Sequence, residues 1–202
     1  MMMIDVERLE IPPLDGNPAL QLLTLPKPVV PYGSVARGSI MEGTFHFYTD
    51  DSKFTRLFAR PERILSTCCT GCIEPNPSTG PGVPMVAALF GIYRKRAVAR
   101  FWQDAGIPIS VDLSVDESVL PFALIGVPAG WRSYAVRSHR HHDLAWIERR
   151  HDLAVAHAGD DAIMFIVVGG GKIIRKECEA RGWIQVPEHC RISRHKLQLQ
   201  GA

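Results

Sequence analysis

The stretch GIYRKRAVARFWQDAGIPISVDLSV, residues 91–115, decides how the chain folds. Together with the residues from Pro84 onward it reads as a long helix feeding a buried strand. Val86, Phe90, Tyr93, Ala97 and Phe101 recur at steps of three and four, the spacing of one apolar helical face. Gly106 stands where a helix-ending glycine belongs, because a residue without Cβ enters the left-handed backbone region at no steric cost. Ile107, Pro108, Ile109, Ser110, Val111, Asp112 and Leu113 then read as a short strand rich in β-branched residues. A helix that passes through a tight turn into an apolar strand is half of a βαβ unit. Asp112 falls at the C-terminal end of that strand, where parallel α/β folds place their sites.

Upstream, residues 1–40 carry Pro12, Pro13, Pro18, Pro26, Pro28 and Pro31. Proline removes a backbone donor and breaks helices, so this reads as an extended arm that wraps the body, with one strand near Val29–Tyr32. Residues 44–49 alternate and are aromatic-rich, which predicts a strand ending in Asp50-Asp51. A helix carrying Phe54, Leu57, Phe58 and Ile64 follows, with a turn or a new first helical turn at Pro61. Residues 69–74 read as a short strand. The next ten residues, 75–84, hold four prolines and two glycines and must form a loop. Downstream, 121–127 and 133–138 read as strands and 139–158 as a helix with the stripe Leu144, Ile147, His151, Ala154, Val155 and Ala158. Residues 162–168 are an unbroken apolar run, as expected of a strand buried on both faces of a parallel sheet. A helix over 172–181, a stop at Gly182 and a last strand at 183–186 complete the body.

This alternation predicts an α/β fold with a mostly parallel sheet. Several strands end in polar residues or glycine, which a small or incomplete TIM-like barrel would gather into one ring. That architecture is favoured over an open sheet. The expected organisation is a Pro-rich arm over 1–40, a single α/β domain over 41–190 and a basic tail over 191–202. With 202 residues, one domain is the natural expectation. A net charge of +2 is too mild to predict nucleic-acid binding from charge alone. No apolar run reaches membrane-span length, and the N-terminus lacks a secretory h-region. A cytoplasmic protein with reduced cysteines is therefore expected.

The pieces FHFYTDDSKFTRLFARPERIL (45–65), VPMVAALFGIYRKRAVARFWQDAGIPISVDLSV (83–115), FALIGVPAGWRSYAVRS (122–138) and the apolar strand with its glycines (163–170) are similar to the DUF4417 family. That family is uncharacterised and is met in phages, plasmids and other mobile elements. The resemblance implies that context and no established chemistry. The chain departs from the family pattern after the third strand. Glu74-Pro75-Asn76-Pro77-Ser78 stands where the family shows Ser-Pro-Asp, an aromatic and Ser, so an amide replaces a carboxylate. The family's aromatic near the end of the fourth strand is replaced here by Asp112 and Leu113.

Candidate chemistry concentrates at the expected strand ends. Asp51 is read as a helix cap or as an acid/base or metal-bound carboxylate. Asp112 is read as a loop cap or as its partner across the rim. His139 opens the polar run Ser138–Asp143 and is a candidate proton carrier, against the plainer reading of a polar helix start. Asn76, Arg94, Arg96, Arg100, Gly169 and Gly170 are candidate anion-binding residues. Arg94 flanks the apolar stripe and is expected to reach a buried carboxylate, and Lys95 to lie on a solvated face. Cys69-x-x-Cys72 has no second pair of matching spacing, so zinc is disfavoured. The metal ligands stay unassigned, and a divalent ion is compatible with the carboxylates. Of two functions, the first is favoured and the second is the alternative. One is an accessory factor that binds nucleic acid or a phage or host protein. The other is a barrel enzyme acting on a phosphate-bearing or nucleic-acid substrate.

Overall fold

A computed structural model describes residues 9–33, 42–78, 82–138 and 144–187. Seven parallel strands form a nearly closed barrel: β1 (Val29–Pro31), β2 (Thr44–His46), β3 (Gly71–Ile73), β4 (Ile109–Asp112), β5 (Ser133–Ser138), β6 (Met164–Gly169) and β7 (Ile184–Val186). Their order in the sheet is their order in the chain, and every neighbouring pair is parallel. This order has a physical consequence. Right-handed crossovers that always add the next strand on the same side place every connection on one face. The other face must then curl onto itself to be buried, which makes a barrel of the TIM type.

The connections are α1 (Asp51–Phe54), α2 (Met85–Asp104), α3 (Leu144–Ala158) and α4 (Lys172–Arg181), with 3-10 turns at Thr55–Phe58, Pro61–Thr67 and Leu120–Phe122. The layer between strands and helices is built from outward strand residues such as Phe45, Phe47, Val111, Tyr134 and Val167. Trp102 of α2 stacks on Phe47 at 5.4 Å and donates its indole N–H to Pro61 O at 2.9 Å. The barrel interior is a second, smaller cluster of Leu22, Tyr48, Ile73, Ala135, Ile166, Val168 and Val186. The two clusters alternate along the strands, as the two-residue period of a pleated strand requires.

The structure corrects three expectations. Residues 121–127 form a 3-10 turn and further turns, with no strand. Their N–H groups bond locally, Phe122 to Val119 O and Val127 to Leu124 O, and two of their carbonyls are taken by an arginine described below. The helix expected after Asp51 is a single α-turn followed by two 3-10 segments. The third correction concerns α2. Its buried side is Ala88, Leu89, Ile92, Lys95, Arg96, Ala99, Trp102 and Gln103, while Val86 and Phe90 are 75% and 56% exposed. Tyr93 and Phe101 are exposed as well. The apolar stripe read from the sequence thus faces outward.

The proline-rich arm contributes to the barrel. Its strand near Val29 is β1, paired with β2. Further upstream, Leu22 N donates to Ile109 O at 2.9 Å, and Ser133 Oγ donates to Leu22 O at 2.6 Å. Gln103 clamps the same segment through bonds with both backbone groups of Asp15 and with Leu20 O. These contacts set the Leu22 side chain into the barrel floor, beneath the first residue of β3. A Cβ on that residue, Gly71, would stand 2.4 Å from Leu22 Cδ1.

Gly71→Ala is therefore expected to destabilise the protein in urea unfolding, by about 1–3 kcal/mol as for other overpacked cores. Leu22→Ala should cost about 2–5 kcal/mol through the cavity it leaves. The double variant should be more stable than the sum of the two losses, because the clash is gone. Strict additivity would show that Leu22 does not seal the floor. A second expectation concerns pH. On α3, His157 Nδ1 lies 3.0 Å from the Tyr134 hydroxyl, and burial holds its pKa below the usual histidine value. The unfolded chain takes up the proton more readily, so this contribution is full above the unfolded value of about 6.5. It is lost as pH falls through the folded value. His157→Gln should flatten that part of the stability–pH curve, and an unchanged curve would overturn the assignment.

Candidate functional site at the barrel mouth

Asp112 is the last residue of β4 and is fully buried. Its strand neighbours Val111 and Leu113 belong to the outer layer, so alternation turns Asp112 inward. It lies in register with Ala135 of β5, which pairs with Ile166 of β6 and through it with Ile184 of β7. Tyr48, two residues beyond β2, donates its hydroxyl to Asp112 Oδ1 at 2.9 Å. Ser114 N donates to the same oxygen at 3.0 Å. Burial, and then the charge of Asp112, push the Tyr48 phenol well above its ordinary pKa, so it remains a neutral donor. His46 lies beside it, with ring centroids 5.6 Å apart and its Nδ1 accepting from Tyr48 N at 3.3 Å.

The cations come from one turn of α2. Lys95 Nζ donates to Asp112 Oδ2 at 3.1 Å and to Asp112 O at 2.7 Å, and stands 3.9 Å from Glu74 Oε2. Glu74 follows β3 and is wholly buried. Its Oε1 is paired with Arg96 Nη1, and its Oε2 accepts from Asp112 N at 3.1 Å. Arg96 also donates from Nε to Ile125 O at 3.0 Å and from Nη2 to Ala123 O at 2.5 Å. Four formal charges, two of each sign, are thus enclosed at neighbouring strand ends. Each carries several hydrogen bonds, the condition under which buried ions are tolerated.

One step above Asp112 on the inner face, Ser114 Oγ accepts from Arg137 N at 2.7 Å. Arg137 is half-buried on β5, in register with Val168 and, through it, with Val186. At the end of β6, Gly169 and the following Gly170 have φ of 92° and 76°. The turn leads through Gly171, which caps α4 without a side-chain bond. A Cβ on Gly170 would stand 2.7 Å from Ile174 Cβ, so the turn requires a glycine there.

The residues singled out from the sequence fall into separate places. Asp112 lies in the interior network. Asp51 is engaged elsewhere: its Oδ2 and Oδ1 accept from Ser78 N at 3.1 Å and Ser78 Oγ at 3.2 Å, tying the start of α1 to the loop after β3. Asn76 is half-buried in that same loop. His139 lies outside the described residues. Arg94 reaches no carboxylate among the described residues. Its guanidinium stands 4.3 Å from the centre of the Phe58 ring and 5.0 Å from that of Phe90. Arg100 pairs at the surface with Asp104 and Asp15. Lys95, expected on a solvated face, is 1% exposed. Tyr48, Glu74, Lys95 and Arg137 were not among the residues singled out for the site. A usable signal existed: two acids at successive strand ends, Glu74 and Asp112, with Lys95-Arg96 on the helix between them. Among the described residues no group of three or more His, Cys, Asp or Glu is placed to hold a metal ion, and no helix is long and apolar enough to cross a membrane.

A family model described as "Domain of unknown function (DUF4417)" matches residues 4–144, well over half of the chain. Among curated proteins, the chain is similar to the Gene 1 protein of Mycobacterium phage D29, 27% identical over 95 residues, covering 46% of this chain and 35% of the relative. It is also similar to the Gene 1 protein of Mycobacterium phage L5, 30% identical over 91 residues, covering 44% of this chain and 40% of the relative. The matches therefore span less than half the length of these relatives. No solved structure matches the chain.

Arg96→Met strips buried Glu74 of the guanidinium on its Oε1, and should cost about 3–5 kcal/mol in chemical unfolding. Adding Glu74→Met should recover most of that loss. A single variant within about 0.5 kcal/mol of the parent would show that the pair is not a structural anchor.

Proposed function

The chain belongs to the DUF4417 family, and from that premise and the geometry of the barrel mouth we propose that it acts on a phosphate-bearing substrate by proton transfer. The observation that carries this reading is the meeting of Lys95, Asp112 and Tyr48 inside the carboxyl end of a parallel barrel. In this architecture, side chains at the strand ends do the chemistry while the opposite end provides stability, an inference from fold analogy. Asp112 is the base. Lys95 and Tyr48 fix its carboxylate through one bond to each oxygen. Arg137 and the head of α4, entered through the glycine turn, supply a cation and the N–H groups of a first helical turn for the phosphate. The substrate class follows from those groups: a nucleotide or a nucleic-acid end.

A second reading rests on a different observation. The outward face of α2 carries Phe90 and Tyr93, stacked 6.1 Å apart, with Arg94 over Phe90. Exposed aromatics next to an arginine suit an accessory factor that holds single-stranded nucleic acid by stacking.

Thermal-shift titration separates the two, using inorganic phosphate, AMP and a short single-stranded oligonucleotide as probes. The mouth reading expects phosphate and AMP to raise Tm. Arg137→Ala should weaken their binding roughly tenfold or more. Asp112→Asn should lower the Tm of the free protein, because Lys95 loses a buried carboxylate, yet leave the AMP-induced shift in place. A shift with the oligonucleotide alone, falling steeply with salt and lost in Phe90→Ala, favours the accessory factor. Silence with all three probes overturns both.

A further inference from the structure

The proline-rich arm, the mouth and α2 leave one chemically distinctive cluster without a role. Cys68, Cys69 and Cys72 surround the entry into β3 on the outer layer of the barrel, apart from the mouth network. Cys69 Sγ and Cys72 Sγ stand 3.8 Å apart. The backbone holds both ends of this short span. Thr70 N donates to Gly43 O at 2.9 Å, and Cys72 N donates to Pro108 O at 3.0 Å. Cys72 is in register with Phe45 of β2. The backbone that carries both sulfurs is therefore held by the sheet. Closing the gap between the sulfurs to the length of a covalent S–S bond, about 2.05 Å, calls for side-chain rotation over less than 2 Å.

The two thiols are unequal in a way that assigns them different tasks. Cys72 is wholly buried in the outer core, and burial pushes its pKa well up. Cys69 is half-buried. Its thiolate is favoured by the Cys72 S–H, and further by the Thr67 hydroxyl and the Gly71 backbone N–H, which bring its pKa down to about 7. Cys68, the exposed neighbour, adopts a left-handed backbone with φ of 56°. A third metal ligand is lacking among the described residues, so the pair is not part of a metal site there.

We propose that Cys69 and Cys72 form a thiol–disulfide exchange site, with Cys69 the attacking sulfur and Cys72 the resolving one, and with a small-molecule disulfide as the oxidant. In the first step the Cys69 thiolate attacks one sulfur of that disulfide. A mixed disulfide forms, and one small thiolate leaves. In the second step Cys72 Sγ attacks Cys69 Sγ and its proton passes to the small thiolate that is expelled. The Cys69–Cys72 bond forms and a second small thiol departs. Two protein thiols are oxidised by two electrons while one small disulfide is reduced to two thiols, and a dithiol reductant reverses the sequence. The accessible low-pKa thiol beside a buried high-pKa one is the division of labour such exchange requires.

All three cysteines lie in the tryptic peptide over residues 64–94, so the test uses Cys68→Ser protein to remove the competing exposed thiol. Folded protein is treated with oxidised glutathione, alkylated and analysed by peptide mass spectrometry. The expected product is that peptide lighter by two hydrogen atoms, unalkylated, and restored by dithiothreitol. Cys72→Ala in the same background should instead trap glutathione on Cys69, and Cys69→Ala should stay unmodified. A separate measurement does not depend on these variants folding. In the native chain, iodoacetamide should alkylate Cys69 with an apparent pKa near 7, severalfold faster at neutral pH than Cys68, the gain in thiolate outweighing its lower nucleophilicity. Failure of the folded Cys68→Ser protein to form the cross-link would overturn the proposal. So would alkylation of Cys68 ahead of Cys69.

Discussion

Glu74 and Asp112 sit at neighbouring strand ends, buried away from bulk solvent, and the architecture around them answers that one demand. Consecutive residues of a helix point about 100° apart. Lys95 and Arg96 can therefore diverge from one turn of α2, Arg96 to the carboxylate on the outer side of the sheet and Lys95 past the strand end to the carboxylate on the inner side. The cost of removing each ion from water is several kcal/mol and is offset only when its remaining donors or acceptors are engaged. Arg96 meets that condition by taking Ala123 O and Ile125 O. Those carbonyls belong to the segment between β4 and β5. The network thus fixes α2, two strands and a connecting turn at once.

The same network explains which parts of the fold were legible in the sequence. Strand and helix order followed from periodicity, and a short β-branched run such as Phe165–Val168, closed by glycines, fits a strand buried on both faces. A parallel α/β barrel followed from that alternation. The orientation of α2 did not. Its apolar residues line two faces, and the three-and-four spacing of Val86, Phe90 and Tyr93 marks the exposed one. The helix rotates the other way because its lysine and arginine have buried partners, which a hydropathy pattern does not register. The segment 121–127 misled for a related reason: its composition suits a strand, but its carbonyls serve as side-chain acceptors.

Of the candidate site, Asp112 was legible because strand ends in such folds are predictable. Its companions were not, since Tyr48 lies two residues past its strand and Lys95 lies mid-helix. Asp51 shows the converse. It has the right residue type in the right place, yet its two oxygens hold Ser78 and so shape a loop. Residue type and position along a strand narrow the choice, and the hydrogen-bond partner decides it.

The match between chain order and strand order bears on synthesis at the ribosome. Each new strand joins the edge exposed by the one before it, so no strand must be threaded between two already paired. Strand order therefore permits vectorial growth from β1 to β7, with one growing edge on a partly made chain. Contacts of the arm with Gln103, Ile109, Arg132 and Ser133 come from residues far apart in sequence. They can be completed only after β5 has emerged. The floor of the barrel is therefore a late closure, made across a span whose loop entropy must already have been lost. A segment translated first is among the last to be locked in place.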